Sequence, residues 1–236
     1  MVHVMLDSKC HQAIRHQGTE GEYYPFSASS AGIWRGRRLT GFLDALAMRG
    51  YALAISGCES EALAEASILV IAGRIQAVPF SERELATISA FCNSGGSLLL
   101  MANHAGLVAP QNQIADALNL PARFHETAVA PEKQRLVLHA EHPISADCGL
   151  GLRIRTSCTM TLTDGAAATV LATNEDSTIG AFAATLEPDG DTRRRAVVMT
   201  SAGHIASDDD SNADLWGAAS NATWMLNIID WLAYRI

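Results

Sequence analysis

The sequence has no disulfide framework to offer. Its five cysteines, Cys10, Cys58, Cys92, Cys148 and Cys158, are odd in number and scattered, with no Cys-x-x-Cys pair. Neither a stapled scaffold nor a structural zinc site follows from that pattern. Reduced thiols and a cytoplasmic setting are the expectation. A basic excess is also missing: 17 Lys and Arg stand against 25 Asp and Glu, a formal charge of −8 with neutral histidines. Nucleic acid and anionic membranes are therefore not expected partners, because both require a cationic face that releases counterions. No run approaches the roughly 20 apolar residues of a membrane-spanning helix. Met1-Val-His-Val-Met-Leu-Asp7 lacks a basic leader and turns polar after a few residues, so it does not read as a signal peptide. Internal repeats and low-complexity tracts are absent.

What is present is a core. Apolar residues make up 48% of the 236 positions and charged residues 18%, enough to fold and too apolar for a disordered chain. Strands are expected at 2–6, 51–55, 68–72 and 97–102, and helices at 37–49, 59–66 and 111–119. Leu39, Phe42, Leu43, Leu46 and Ala47 recur at helical spacing, with Gly50 placed to end that helix. Ser81-Glu-Arg-Glu84 is a capping box, followed by the stripe Leu85, Ile88, Cys92 and a stop at Gly95-Gly96. Strand–helix alternation through about residue 120 predicts right-handed crossovers and a parallel sheet. After Leu120 the pattern becomes strand-rich, with strands expected at 135–139, 151–162, 168–172, 180–186 and 194–200, and Pro188-Asp-Gly190 as a hairpin tip. A helix at 221–234 closes the chain, with Trp224, Ile228 and Leu232 on one stripe and Trp231 also in the core. The expected fold is one α/β domain over 1–236: a flavodoxin-like three-layer sandwich whose mostly parallel sheet carries an antiparallel extension at 125–190.

Asp7 after the first strand, Val78-Pro-Phe-Ser81-Glu leading to Gly95-Gly96-Ser-Leu-Leu-Leu, Asn112-Gln-Ile-Ala-Asp-Ala-Leu, His142-Pro-Ile144, Val170-Leu-Ala172 and Asn227-Ile-Ile-Asp-Trp-Leu232 occur in this order over nearly the whole chain. In this the sequence resembles the class I glutamine-amidotransferase-like superfamily. The nearest likeness is to the branch found in gliding-motility transporter subunits, intraflagellar-transport proteins and uncharacterised bacterial proteins. The resemblance implies a site at the carboxyl ends of the strands, where open α/β sheets bind ligands. The departure is at the elbow after the fourth strand. Amidotransferases carry a cysteine there; this chain has Met101-Ala-Asn103-His104-Ala-Gly106. Thiolate hydrolysis of glutamine is thereby excluded as an expectation, and a histidine near this elbow is shared with trehalose-utilisation-type proteins.

Four groups follow strands that would all point to one edge: Asp7 with His11, Asn103 with His104, Ser201 with His204, and Asp208-Asp-Asp210. An aspartate with two or three neutral imidazoles could ligate a divalent metal or orient a histidine base. The plainer alternative is that strands end at the surface and three aspartates form a solvated loop. Metal and cofactor are left open. Glu22-Tyr23-Tyr24 could be a lid or a loop anchor, Ser27–Ser30 an anion site or a helix cap, and His16 a surface residue. The expected function is binding of a small polar molecule, with hydrolysis or proton transfer as the chemistry if the chain is an enzyme. His104 would then be the base and Asp7 the orienting acid, with His11, Asn103, Ser201, His204 and Asp208 as ligand contacts. The alternative is a noncatalytic protein-interaction module. Homo-oligomerisation is left open.

Overall fold

A computed structural model describes residues 1–10, 39–74, 78–102, 108–126, 135–139, 141–149, 151–154, 157–174, 181–186, 195–202, 205, 216–217 and 220–236. The elements in chain order are β1 (His3–Asp7), α1 (Thr40–Met48), β2 (Ala52–Ser56), α2 (Glu61–Glu65), β3 (Ile68–Ala72), α3 (Glu82–Asn93), β4 (Ser97–Met101) and α4 (Ala109–Ala117). They continue with β5 (Ala122–His125), β6 (Arg135–Leu138), a 3-10 turn (Pro143–Ser145), β7 (Leu152–Arg153), β8 (Thr159–Leu162), β9 (Ala168–Asn174), β10 (Ala181–Leu186), β11 (Ala196–Met199) and α5 (Asn221–Leu232).

Among the described residues nine strands form one sheet in the order β2-β1-β3-β4-β11-β10-β9-β6-β7. The first five are mutually parallel, and the last four extend the sheet antiparallel from β11. This is the flavodoxin-like α/β architecture. The apolar runs of β1, β3 and β4 are continuous because both faces are covered. Val4, Leu6, Ile68, Val70, Leu99 and Met101 meet Phe42, Leu46, Trp224 and Ile228 of α1 and α5. The alternate residues Met5, Leu69, Ile71, Leu98 and Leu100 meet Leu63, Ile88, Cys92 and Ile114 of α2, α3 and α4. Period two along the strands thus divides one apolar run between two cores.

Local signals act where the sequence puts them. The Ser81–Glu84 capping box is formed in both directions, and Gly50 (φ +78°) ends α1 in the left-handed conformation that favours glycine. Trp224 and Trp231 are buried. Two strand expectations need correction. The single strand at 151–162 is two: β7 pairs with β6 in the main sheet, while β8 pairs with β5 in a separate two-stranded ribbon. The break has a cause. Asn221 on α5 clasps Arg153, accepting its N–H at 3.0 Å and donating to its carbonyl at 2.8 Å, while the N–H of Cys158 donates to the carbonyl of Thr200. Strand β5, unforeseen, is held to α4 by Asn112, which bonds both the N–H and the carbonyl of Phe124 at 3.0 and 2.9 Å. The expected Pro188–Gly190 hairpin tip lies outside the described residues. Among the described residues no helix is long and apolar enough to cross a membrane.

Candidate functional site

Strand β1 delivers Asp7 at its carboxyl end, and β3 delivers Arg74 two residues past its own. Both are 0% exposed. An unpaired charge in that position would cost several kcal/mol, and the site is built so that none is unpaired. Arg74 Nε donates to Asp7 Oδ2 at 3.1 Å, and Nη2 donates to Asp7 Oδ1 at 3.0 Å. On its other side Nη1 donates to Glu84 Oε2 at 3.0 Å and Nη2 to Glu84 Oε1 at 2.7 Å. Lys9 completes the group: its Nζ donates to Glu84 Oε1 at 3.1 Å and its backbone N–H to Asp7 Oδ1 at 3.2 Å. Two carboxylates therefore face two cations. The Phe80 ring lies against the guanidinium, 3.7 Å from its carbon, a stacking that suits the planar, weakly hydrated arginine head.

Glu84 serves twice. Its Oε2 accepts the Ser81 N–H at 2.9 Å, capping α3, while the same carboxylate grips Arg74. Burial alone would raise its pKa. Hydrogen bonds from Arg74 and from the Ser81 N–H, with the Arg74 charge, outweigh burial and hold the carboxyl down at about 2. Burial likewise pulls Arg74 down, and its bonds to Glu84 and Asp7 more than offset that, raising it above the ordinary arginine value. The group sits between β1 and β3, where the strand order reverses. That reversal marks the crevice in which open α/β sheets hold ligands.

Of the residues expected at the site, Asp7 and Ser201 are described. Both lie at the carboxyl edge, Ser201 just past β11 and buried. Strands β3 and β4 stand between β1 and β11, so the two ends are about 14 Å apart at ordinary strand spacing. One reacting atom does not touch both. Beside Ser201, the buried Ser157 Oγ and Thr200 Oγ1 are 2.6 Å apart, and Cys158 Sγ donates to the Thr200 carbonyl at 3.6 Å. His11, Asn103, His104, His204 and Asp208 lie outside the described residues. Among the described residues no group of three His, Cys, Asp or Glu side chains could hold a metal ion.

Burial makes Cys58, Cys148 and Cys158 poor nucleophiles. All five cysteines are buried and free of disulfides. Burial raises Cys58 well above its ordinary value, with nearby Asp7 adding to the effect. Burial also pushes Cys158 up to about 12 and Cys148 up to about 11. Such groups stay protonated near neutrality. Sequence reading missed Arg74, Ser157 and Thr200, and took Glu84 for a cap alone. One signal was available: a lone Gly73-Arg74 directly after the fully apolar run 68–72 places a charge at a strand end facing Asp7.

No family model matches the chain, and no curated protein matches it in sequence. Solved structures do. The mmIFT52 N-terminal domain matches with a TM-score of 0.70 at 13% identity, over 98% of this chain and 97% of that one. Two cytoplasmic proteins of Salmonella typhimurium follow: STM3548, TM-score 0.62, 14% identity, 98% of each chain, and STM1381 of strain LT2, TM-score 0.60, 16% identity, 100% of this chain and 98% of that one. The fold is shared from end to end. At these identities the likeness carries the architecture, and function must come from the site.

Proposed function

We propose that this chain is a binding domain of the amidotransferase-like kind that takes a small polar ligand at the carboxyl edge of its sheet without a cysteine nucleophile. The observation that carries the reading is the charge-balanced Asp7–Arg74–Glu84–Lys9 cluster at the strand-order reversal. It supplies a floor whose side chains are locked by paired hydrogen bonds on both sides of one guanidinium, and rigid support is what positions ligand-binding groups on the loops above. In this reading Asp7 is a positioning residue: both of its oxygens are spent on Arg74. Direct contact falls to Asn103, His104 and His204 on the segments that follow β4 and β11. Hydrolysis or proton transfer, where the site adds chemistry, uses His104 as base, with a rate contribution of about 10² to 10⁴ from acid–base help. The buried, protonated thiols agree with this reading.

The test is a thermal-shift titration with a panel of sugars, sugar acids, amino acids and carboxamides. One class should raise the melting temperature in a concentration-dependent way, as any ligand of the native state does. His104→Ala and Asn103→Ala should each weaken that ligand by about tenfold or more, roughly 1.4 kcal/mol, and leave the ligand-free melting temperature in place. A panel with no hit, or an affinity unchanged in both variants, would remove the ligand from this edge.

A further inference from the structure

The opposite edge of the sheet carries a cleft of about 790 Å³, walled by the carboxyl ends of α2, α3 and α5 and floored by the residues at which β1, β3 and β4 begin. No charged side chain lines it. Its surface is small and apolar, with Ala64 and Ala90 exposed on facing helices. Its hydroxyls are mostly committed: Ser94 Oγ donates to the Phe91 carbonyl at 2.8 Å, Ser97 Oγ to the Leu232 carbonyl at 2.9 Å, and Thr87 Oγ1 to the Arg83 carbonyl at 2.8 Å. Ser60 Oγ is buried and has no hydrogen-bond partner. A buried hydroxyl left unbonded is uncommon and asks for a reason.

The rim is different in kind. Tyr234, half exposed, lines the cleft, and the Arg195 guanidinium lies 4.1 Å from its ring centre and 4.5 Å from that of Trp231. Arg195 Nη1 donates to the main-chain oxygens of Trp231 at 2.6 Å and Ile236 at 3.4 Å. Nearby, Arg235 lies over the Tyr51 ring and donates to the Arg49 carbonyl. Arg49 is satisfied by Asp230, but among the described residues neither Arg195 nor Arg235 meets an Asp or Glu side chain. On a chain of net charge −8, two guanidiniums that meet main-chain oxygens and aromatic rings but, among the described residues, no Asp or Glu side chain are placed beside an apolar cleft to receive carboxylates from outside.

We infer that this cleft docks an acidic peptide segment of a protein partner, its small aliphatic side chain entering between α2 and α3 and its carboxylate meeting Arg195. A small-molecule site needs several convergent polar groups to fix orientation, and here Ser60 supplies one. Peptide recognition needs an apolar slot with arginine and aromatic anchors at its border, and the cleft has both. The experiment is selection from a displayed library of random short peptides on the intact chain. Enriched sequences should pair Asp or Glu with small aliphatic residues. A synthetic copy should lose about tenfold or more in affinity to Ala64→Trp or Ala90→Trp, both surface changes whose folding is checked by melting. Arg195→Gln should weaken it and flatten its salt dependence. Absence of acidic enrichment, equal binding by both tryptophan variants, or a library yielding no binder would each overturn the inference. The carboxyl-edge reading is unaffected by any of these results, since its readout is thermal shift by small polar molecules.

Discussion

At the carboxyl edge a guanidinium is fully buried and every surrounding carboxylate oxygen is used, whereas at the amino edge two guanidiniums lie on aromatic rings with no acidic side chain against them among the described residues. The residue type is the same and its work is different. Arg74 is enclosed by Asp7, Glu84 and Phe80, so removing it strands the buried Asp7 and leaves Glu84 to Lys9 alone. Arg195 is half-buried, and removing it strands no buried charge. The contrast teaches that a charge is structural or recognitive according to whether its partners are inside the chain, and burial with hydrogen bonding is the physical discriminator.

The sharpest way to break the comparison is Arg74→Met. It leaves Asp7 buried without a cation and Glu84 with Lys9 alone, which should cost about 3–5 kcal/mol and lower the melting temperature by roughly 10 °C or more for a chain of this size. Arg74→Lys should recover only part of the loss, since a point charge restores the cation but cannot bond two carboxylates bidentately as the guanidinium fork does. Melting within a degree or two of the parent for Arg74→Met would show that the cluster is not what holds β1, β3 and α3 together.

A second effect is smaller and depends on pH. Glu84 is held at about 2 in the native state against an ordinary 4.5. A carboxyl depressed by folding stabilises the native state above its unfolded value, so the contribution is whole above about pH 4.5 and is lost as pH falls towards 2. Its size is on the order of 2–3 kcal/mol. Chemical denaturation at a series of pH values should show this acid limb, and Glu84→Gln should be less stable at neutrality and flatter between pH 5 and 2. An acid limb of the same slope in Glu84→Gln would assign the titration to other carboxylates.

The smallest expected change belongs to the amino edge. Arg195→Gln gives up two ring contacts and two bonds to main-chain oxygens at a partly exposed position, which should amount to about 1 kcal/mol or less. A loss comparable with that of Arg74→Met would mean that Arg195 also holds the fold, and the distinction between the edges would disappear.

Much of the architecture was legible because its signals are local. Gly50 and Gly95 end helices through backbone conformation, Ser81 and Glu84 announce a helix start three residues apart, and the run Ile68–Ala72 reads as a strand covered on both sides. The two errors, at 151–162 and at β5, share a cause. Those segments are decided by side chains distant in sequence, Asn221 for the first and Asn112 for the second, and no local periodicity reports them. The candidate site was legible only in outline. Asp7 could be placed at a strand end, but its partner Arg74 is 67 residues away.

By itself the sequence determined the alternation of strands and helices, the double-sided apolar sheet, the helix caps and the absence of a cysteine from the segment that follows β4. These follow from periodicity, backbone conformation and residue identity, which are properties of neighbours along the chain. Tertiary structure alone decided that Asp7 is spent on Arg74, that Glu84 both caps a helix and balances a buried cation, and that small residues from three helix ends line a cleft beside guanidiniums that, among the described residues, meet no Asp or Glu side chain. Each of these depends on which strands stand side by side in the sheet. Strand order is set by the burial of the whole, because pairing energies act through space and leave no periodic mark on the segments they join.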